Sequence, residues 1–165
     1  MSEKLRVVFN SPQCGWMSFE LSAGEQSLID AVCYTPYDSL ADLIRALSTL
    51  LVDDTELTVK WAYEPDEADF NFKARGDEAE LEVKWYKNHL RSEGTGERVF
   101  FWRGSRLDLC QPFWRALRGI QSDLEVDEFT RNWRREFPAR ELEQLTEDIK
   151  AYKQKQPRSA NLSER

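Results

Sequence analysis

Residues 55–87 read TELTVKWAYEPDEADFNFKARGDEAELEVKWYK, and this stretch decides the fold. Apolar and polar residues alternate along it in three runs, which the turn-forming segments 64–66 and 75–78 separate. Alternation with a period of two is typical of strands that bury one face and expose the other. The stretch therefore predicts a three-stranded antiparallel meander with one face in the core and a charged face in water.

Further strands are predicted on both sides of this meander, at residues 5–9, 16–21, 28–34 and 99–102. Between the predicted strand at 28–34 and the meander, leucine and isoleucine recur at spacings of three and four from Leu40 to Leu51, which predicts an amphipathic helix. Asp38 or Ser39 is expected to cap its first turn. Asp53 and Asp54 follow its end, where the helix dipole disfavours acidic residues.

The region after Gly104 is predicted to be helical, with Pro112 kinking or restarting its first helix. The fold class is therefore α+β: an antiparallel sheet of about six to seven strands, packed by one central helix and two to three C-terminal helices. A length of 165 residues, 41% of them hydrophobic, suits one domain with its own core. We place this domain at residues 1–155 and a flexible tail at 156–165.

Cysteine usage and the apolar segments bear on where the protein resides. No run has the length of a membrane-spanning helix or the pattern of a signal peptide. The three cysteines, Cys14, Cys33 and Cys110, are predicted to be buried free thiols. The predicted location is the cytoplasm, with no membrane partner.

Negative charge is concentrated in the meander. Residues 53–82 contain eleven acidic and three basic side chains, a net charge of −8, whereas the whole chain has −7. Such a field repels nucleic acid and favours a basic protein partner. The carboxylates predicted to bind this partner are Asp66, Glu67, Asp69, Glu78, Glu80 and Glu82.

Catalytic and metal-binding signatures are missing from the sequence. His89 is the only histidine, which excludes sites that need two, and the segment 94–96 lacks the lysine and the following helix of a phosphate loop. Cys110 with His89 is a conceivable nucleophile–base pair, but a core cysteine fits an apolar stripe better. We predict no catalytic residue, no cofactor and no metal ligand, although paired-carboxylate chemistry stays open.

A second hypothesis places a small-molecule or enzyme site in a cleft between the sheet and the helix that contains Pro112. Trp102, Arg115 and Arg118 would line this cleft, with the two arginines as an anion site. Their alternative role is pairing with the acidic meander. A homodimer is a further alternative.

Four segments together resemble a group of small uncharacterised bacterial proteins. They are CGW at 14–16, YTPYDS at 34–39, PFWRALR at 112–118 and RREFP at 134–138. The resemblance implies no particular activity. In size and charge the chain is also similar to immunity proteins of bacterial toxin systems, which implies a non-enzymatic protein that binds a basic partner.

Overall fold

The computed structural model describes residues 2–91, 94–123 and 126–157, which form seven strands and four helices. The strands are β1 (Arg6–Phe9), β2 (Trp16–Ala23), β3 (Gln26–Cys33), β4 (Thr55–Tyr63), β5 (Asp66–Arg75), β6 (Glu78–Tyr86) and β7 (Glu97–Ser105). The helices are α1 (Ser39–Val52), α2 (Arg106–Asp123), α3 (Val126–Trp133) and α4 (Ala139–Lys155). The predicted α+β class, with one central helix and further C-terminal helices, is confirmed. Most of the predicted tail, residues 158–165, lies outside the described residues.

The sheet is antiparallel throughout, and its strands lie in the order of the chain from β1 to β7. Strands β4, β5 and β6 form the predicted meander: Val59 pairs with Phe70, which in turn pairs with Val83. All three side chains are buried on the core face. Short turns join β2 to β3, β4 to β5 and β5 to β6, so these strands lie beside their neighbours in sequence.

The junction between β3 and β4 is the weakest in the sheet, because α1 separates these strands in sequence. Only Cys33 and Ala62 pair there. The opposite end of β3 lies against β7. There the side-chain amide nitrogen of Gln26 donates to the Phe101 carbonyl at 2.9 Å, and the side-chain oxygen of Gln26 accepts from the Phe101 backbone amide at 3.0 Å. The sheet therefore curves until its last strand meets its third.

The core lies inside this curve, where α1 packs on β4 and α2 packs on β1, β6 and β7. Phe70 is fully buried at its centre. The Phe70 ring centroid lies 5.6 Å from that of Phe19, 5.7 Å from that of Trp61 and 6.4 Å from that of Phe72. Aromatic pairs at such distances add about 0.5–1.5 kcal/mol each beyond their burial.

The first turn of α1 differs from the prediction. Neither Asp38 nor Ser39 caps the helix with its side chain. The Ser39 hydroxyl instead donates a hydrogen bond to the Lys60 carbonyl on β4. Strand β3 pairs with β4 only at Ala62 and does not extend beside Lys60, where the serine hydroxyl supplies the hydrogen bond.

Two other sequence expectations are resolved by the structure. Helix α2 continues through Pro112, so the proline does not restart it. Its first turn is capped by Ser105, whose hydroxyl oxygen accepts from the Asp108 amide at 3.0 Å. All three cysteines are free, but Cys14 is exposed, so the prediction of burial is correct only for Cys33 and Cys110.

Arg106, at the start of α2, explains the acidic residues behind α1. Its side chain is buried, with 6% of the residue exposed. Nε donates to the Gly76 carbonyl at 2.6 Å, and Nη1 donates to the carbonyls of Leu50 and Asp53 at 2.6 Å each. Nη2 binds the Asp54 carboxylate. The guanidinium thus satisfies carbonyls at the negative end of α1 and neutralises the adjacent acid.

We expect Arg106→Ala to lower the free energy of unfolding by about 3–5 kcal/mol, because the backbone carbonyls of Leu50, Asp53 and Gly76 lose the donor that satisfies them. Urea denaturation followed by tryptophan fluorescence measures this loss. Arg106→Lys keeps the charge but loses the fork of donors, so its loss should be smaller; it replaces the alanine variant if that does not fold. Arg103→Ala is the matched control, since Arg103 is an exposed ion-pairing arginine worth about 1 kcal/mol or less. Equal losses at the two positions would contradict the role given to Arg106.

Candidate functional site

The solvent-facing side of β4–β7 alternates in charge from strand to strand. One cross-strand row, formed by Glu56, Lys73, Glu80 and Arg103, does so throughout, and in a second row the buried Asp69 lies between Lys60 and Lys84. Arg103 Nη2 lies 2.7 Å from Glu80 Oε1, and Arg98 Nη2 lies 2.5 Å from Glu82 Oε2. The cations of β7 therefore neutralise acids that the local sequence pattern presents as an acidic surface.

Three of the predicted partner-binding carboxylates lie within reach of these β7 arginines. Glu80 and Glu82 are each paired with an arginine of β7. Glu78 is exposed and lies 4.0 Å from Arg103 Nε. The sequence analysis missed these pairs because β7 follows a loop and lies beyond the acidic window.

Glu67 and Asp69 are buried, although the sequence analysis expected them on the charged face in water. They are 4% and 7% exposed. Arg91 covers both, with Nη1 at 2.7 Å from Asp69 Oδ2 and Nη2 at 3.0 Å from Glu67 Oε2. The Tyr37 hydroxyl donates to the same Glu67 oxygen at 2.8 Å. Neither Arg91 nor Tyr37 was predicted to belong to a site, since both lie far from β5 in the sequence.

Asp66 lies beside a pocket of about 700 Å³ at the turn between β4 and β5. We call this the acidic pocket; it is lined by Pro36, Ala62, Glu64, Pro65, Asp66, Glu67 and His89. Three of these side chains are carboxylic acids, and none of the described lining residues is a lysine or arginine. Two prolines and an alanine supply apolar walls, a composition typical of ligand-binding concavities.

The negative charge at this turn is not compensated locally. No lysine, arginine or histidine nitrogen of the described residues lies within ion-pair distance of Asp30, Glu64 or Asp66. Burial raises the pKa of Asp30, and the charge of Asp66 raises it further, against a hydrogen bond from the Ala31 amide that lowers it. Burial and these two acids also raise the pKa of Tyr63. Each shift disfavours the negative form, so the turn attracts cations.

The cleft predicted from Trp102, Arg115 and Arg118 is divided in the structure. Trp102 and Arg115 line a pocket of about 220 Å³ between β7 and α2. Arg118 does not line this pocket; its guanidinium lies over the Trp114 ring, 5.1 Å from the centroid, on the side facing α4. Pockets for small organic ligands are usually about 300–1,000 Å³, so the space shared by Trp102 and Arg115 is small for that role.

Cys110 and His89 do not form a nucleophile–base pair. Cys110 is fully buried, its thiol lies 3.5 Å from the Leu47 carbonyl, and burial raises its pKa. His89 is exposed and lines the acidic pocket. Cys110 is therefore a core residue.

The described residues contain neither a cluster of metal ligands nor a membrane-spanning helix. No group of three or more histidine, cysteine, aspartate or glutamate side chains is arranged to hold a metal ion in that part of the chain. None of its helices combines the length and apolar character of a membrane-crossing segment.

Three of the four segments quoted for the family resemblance meet in space, at Gly15. Its amide donates to the Asn132 carbonyl at 2.7 Å, and its carbonyl accepts from the Tyr34 amide at 3.1 Å. Gly15 has φ +81°, and a Cβ atom there would lie 2.9 Å from the Tyr34 ring, so glycine is required. Arg135 Nε donates to the Tyr34 carbonyl at 2.7 Å. These bonds fix the segment that leads to Pro36 and Tyr37 beside the acidic pocket.

Comparison with protein-family models, curated proteins and solved structures gives no significant match. Among the described residues, the acidic pocket is the site that the geometry favours most.

We expect Asp30→Asn to stabilise the protein near neutral pH and to have little effect at about pH 3. Because the folded state raises the pKa of Asp30, it binds a proton more tightly than the unfolded state does. The unfavourable contribution of the carboxylate is then complete above the raised pKa and disappears as the pH falls below it. Asparagine keeps an oxygen that can accept from the Ala31 amide. Urea midpoints of both proteins at the two pH values test this, and a variant that is less stable near neutral pH would refute it.

Proposed function

We propose that this chain is a cytoplasmic, non-enzymatic protein-binding domain whose acidic pocket receives a basic side chain of a protein partner. The observation behind this proposal is the lining of the pocket, which contains Glu64, Asp66 and Glu67 and, among the described residues, no lysine or arginine. A cationic group is the chemical complement of such a lining. The proposed binding site is therefore this pocket and not the solvent-facing side of the sheet, where acids and bases are paired.

The walls of the pocket suit a long basic side chain. Pro36, Ala62 and Pro65 offer apolar surface to an aliphatic stem, while the carboxylates of Glu64 and Asp66 pair with the charged end. Hydrogen bonds to charged groups contribute about 1.5–3 kcal/mol when they exclude water. The uncompensated acids at this turn also speed the approach of a basic surface.

The sheet face has a different part in this proposal. Its alternating charges offer a partner both signs, so Glu78, Glu80 and Glu82 contribute to the rim of the interface and not to its centre. Rim charges act mainly on the association rate and on specificity. An immunity-like protein would use this combination to cover a basic surface of a toxin.

Neutralising the pocket should abolish partner binding, whereas neutralising the sheet face should not. The partner is first captured by chemical crosslinking in cells that express the chain, and it is then purified. We expect Glu64→Gln/Asp66→Asn to weaken its binding by about tenfold or more in titration calorimetry, because two charge-assisted contacts are lost.

Glu78→Gln/Glu80→Gln is the matched control, because it removes the same number of negative charges from paired positions on the same sheet. It should change the equilibrium affinity by less than about threefold, since exposed pairs contribute about 1 kcal/mol or less. Equal losses in the two double variants would contradict the pocket and favour a general charge effect. Light scattering of the purified chain shows whether a second copy is the partner.

A further inference from the structure

The buried carboxylates of β5 hold a guanidinium from the protein's own loop. Glu67 and Asp69 lie on one face of the strand, and Arg91, which follows β6, bridges them with its two terminal nitrogens. The side chain of Arg91 is 18% exposed, and those of Glu67 and Asp69 are 6% and 10% exposed. The planar fork of a guanidinium matches such a pair, whereas a lysine ammonium contacts it as a point charge.

The surroundings complete the contacts by which proteins recognise guanidinium groups. The Arg91 Cζ atom lies 4.4 Å from the centroid of the Tyr86 ring, a cation–π distance. The Tyr37 hydroxyl donates to Glu67 Oε2 and fixes the orientation of that carboxylate. Two carboxylates, one on each terminal nitrogen, and one ring thus surround a single cation.

Arg91 does not satisfy this site completely. Asp69 Oδ1 and Arg91 Nε are both buried, and neither has a hydrogen-bond partner among the described residues. The ion pair therefore contains one acceptor and one donor without a hydrogen bond. Each of them raises the free energy of the state in which Arg91 is paired with Glu67 and Asp69. Arg91 also has φ +36°, a left-handed conformation that non-glycine residues rarely adopt.

One of these two carboxylates, Glu67, also lines the acidic pocket. Glu67 both lines the pocket and pairs with Arg91, so it is shared between the two sites. A side chain bound in the pocket can therefore contact Glu67. A guanidinium arriving there is free of the backbone constraint on Arg91.

We propose that Glu67, Asp69 and Tyr86 form a guanidinium-binding site, which Arg91 occupies in the unbound protein and an arginine of the partner takes over. The identification of a partner's arginine rests on the proposed function; the guanidinium site itself does not. The class of ligand is an arginine side chain, in preference to a lysine. Because Arg91 must be displaced first, only an arginine that contacts Glu67, Asp69 and Tyr86 more favourably than Arg91 does can bind.

The test removes Arg91 and supplies a guanidinium from solution. Because an internal competitor lowers the apparent affinity by the fraction of sites that are open, Arg91→Ala should bind Nα-acetylarginine amide at least about tenfold more tightly than the wild type does. Thermal-shift titration and NMR titration both measure this affinity. Nα-acetyllysine amide should bind Arg91→Ala distinctly more weakly than the arginine derivative.

Arg98→Ala is the matched control, because Arg98 also pairs with a carboxylate and lies over an aromatic ring, 4.6 Å from the Phe101 centroid, but is exposed. It should gain no affinity for the arginine derivative. Adding Glu67→Gln and Asp69→Asn to Arg91→Ala should abolish the gain. If Arg91→Ala does not fold, Arg91→Gln, which retains much of the side-chain length, is titrated in its place.

Equal affinities of Arg91→Ala and the wild type, or a gain that survives loss of both carboxylates, would overturn the guanidinium site. These outcomes are distinguishable from failure of the proposed function, which is measured with the partner and the Glu64→Gln/Asp66→Asn variant. A partner that binds through the pocket while Arg91→Ala ignores the arginine derivative would refute only the guanidinium site. A gain in Arg91→Ala with no effect of the pocket variant on the partner would refute only the proposed function.

Discussion

The guanidinium of Arg106 joins the three parts of the molecule that the sequence leaves far apart. It hydrogen-bonds carbonyls at the end of α1 and in the β5–β6 turn while itself beginning α2. Gly76 also donates from that turn to the Asp54 carboxylate. Burying one cation without partners would cost several kcal/mol, so the hairpin and both helices must be in place together. The position of β5, and with it the acidic pocket, depends on this arrangement.

Cross-strand pairing decides where the negative charge of the protein is available. Glu80 and Glu82 face the arginines of β7, and Glu67 and Asp69 face Arg91, so these acids are already balanced within the chain. Among the described residues, Glu64 and Asp66, at the turn after β4, have no cation within ion-pair distance.

The sequence predicts the strands and helices well but does not predict most of the side-chain contacts between them. Period-two alternation in 55–87 and the leucine spacing of α1 are local patterns, and both predict their elements correctly. Arg91 and Tyr37 were missed because their partner Glu67 lies 24 and 30 residues away, and no periodic signal links them. The cap expected from Ser39 was wrong for a related reason: its hydroxyl satisfies a carbonyl of β4, which only the tertiary fold brings near. The sequence places Asp66 in an acidic segment, but no local pattern predicts the apolar walls that Pro36, Ala62 and Pro65 form beside it.

The Gln26 side chain affects whether another chain can pair with the edge strand β7. An edge strand with free amide and carbonyl groups is a template on which another chain can polymerise. At Phe101 the carboxamide of Gln26 takes both groups and imitates one residue of a neighbouring strand. The protein thereby blocks the middle of its last strand with a single side chain, which hinders the growth of fibres from that edge.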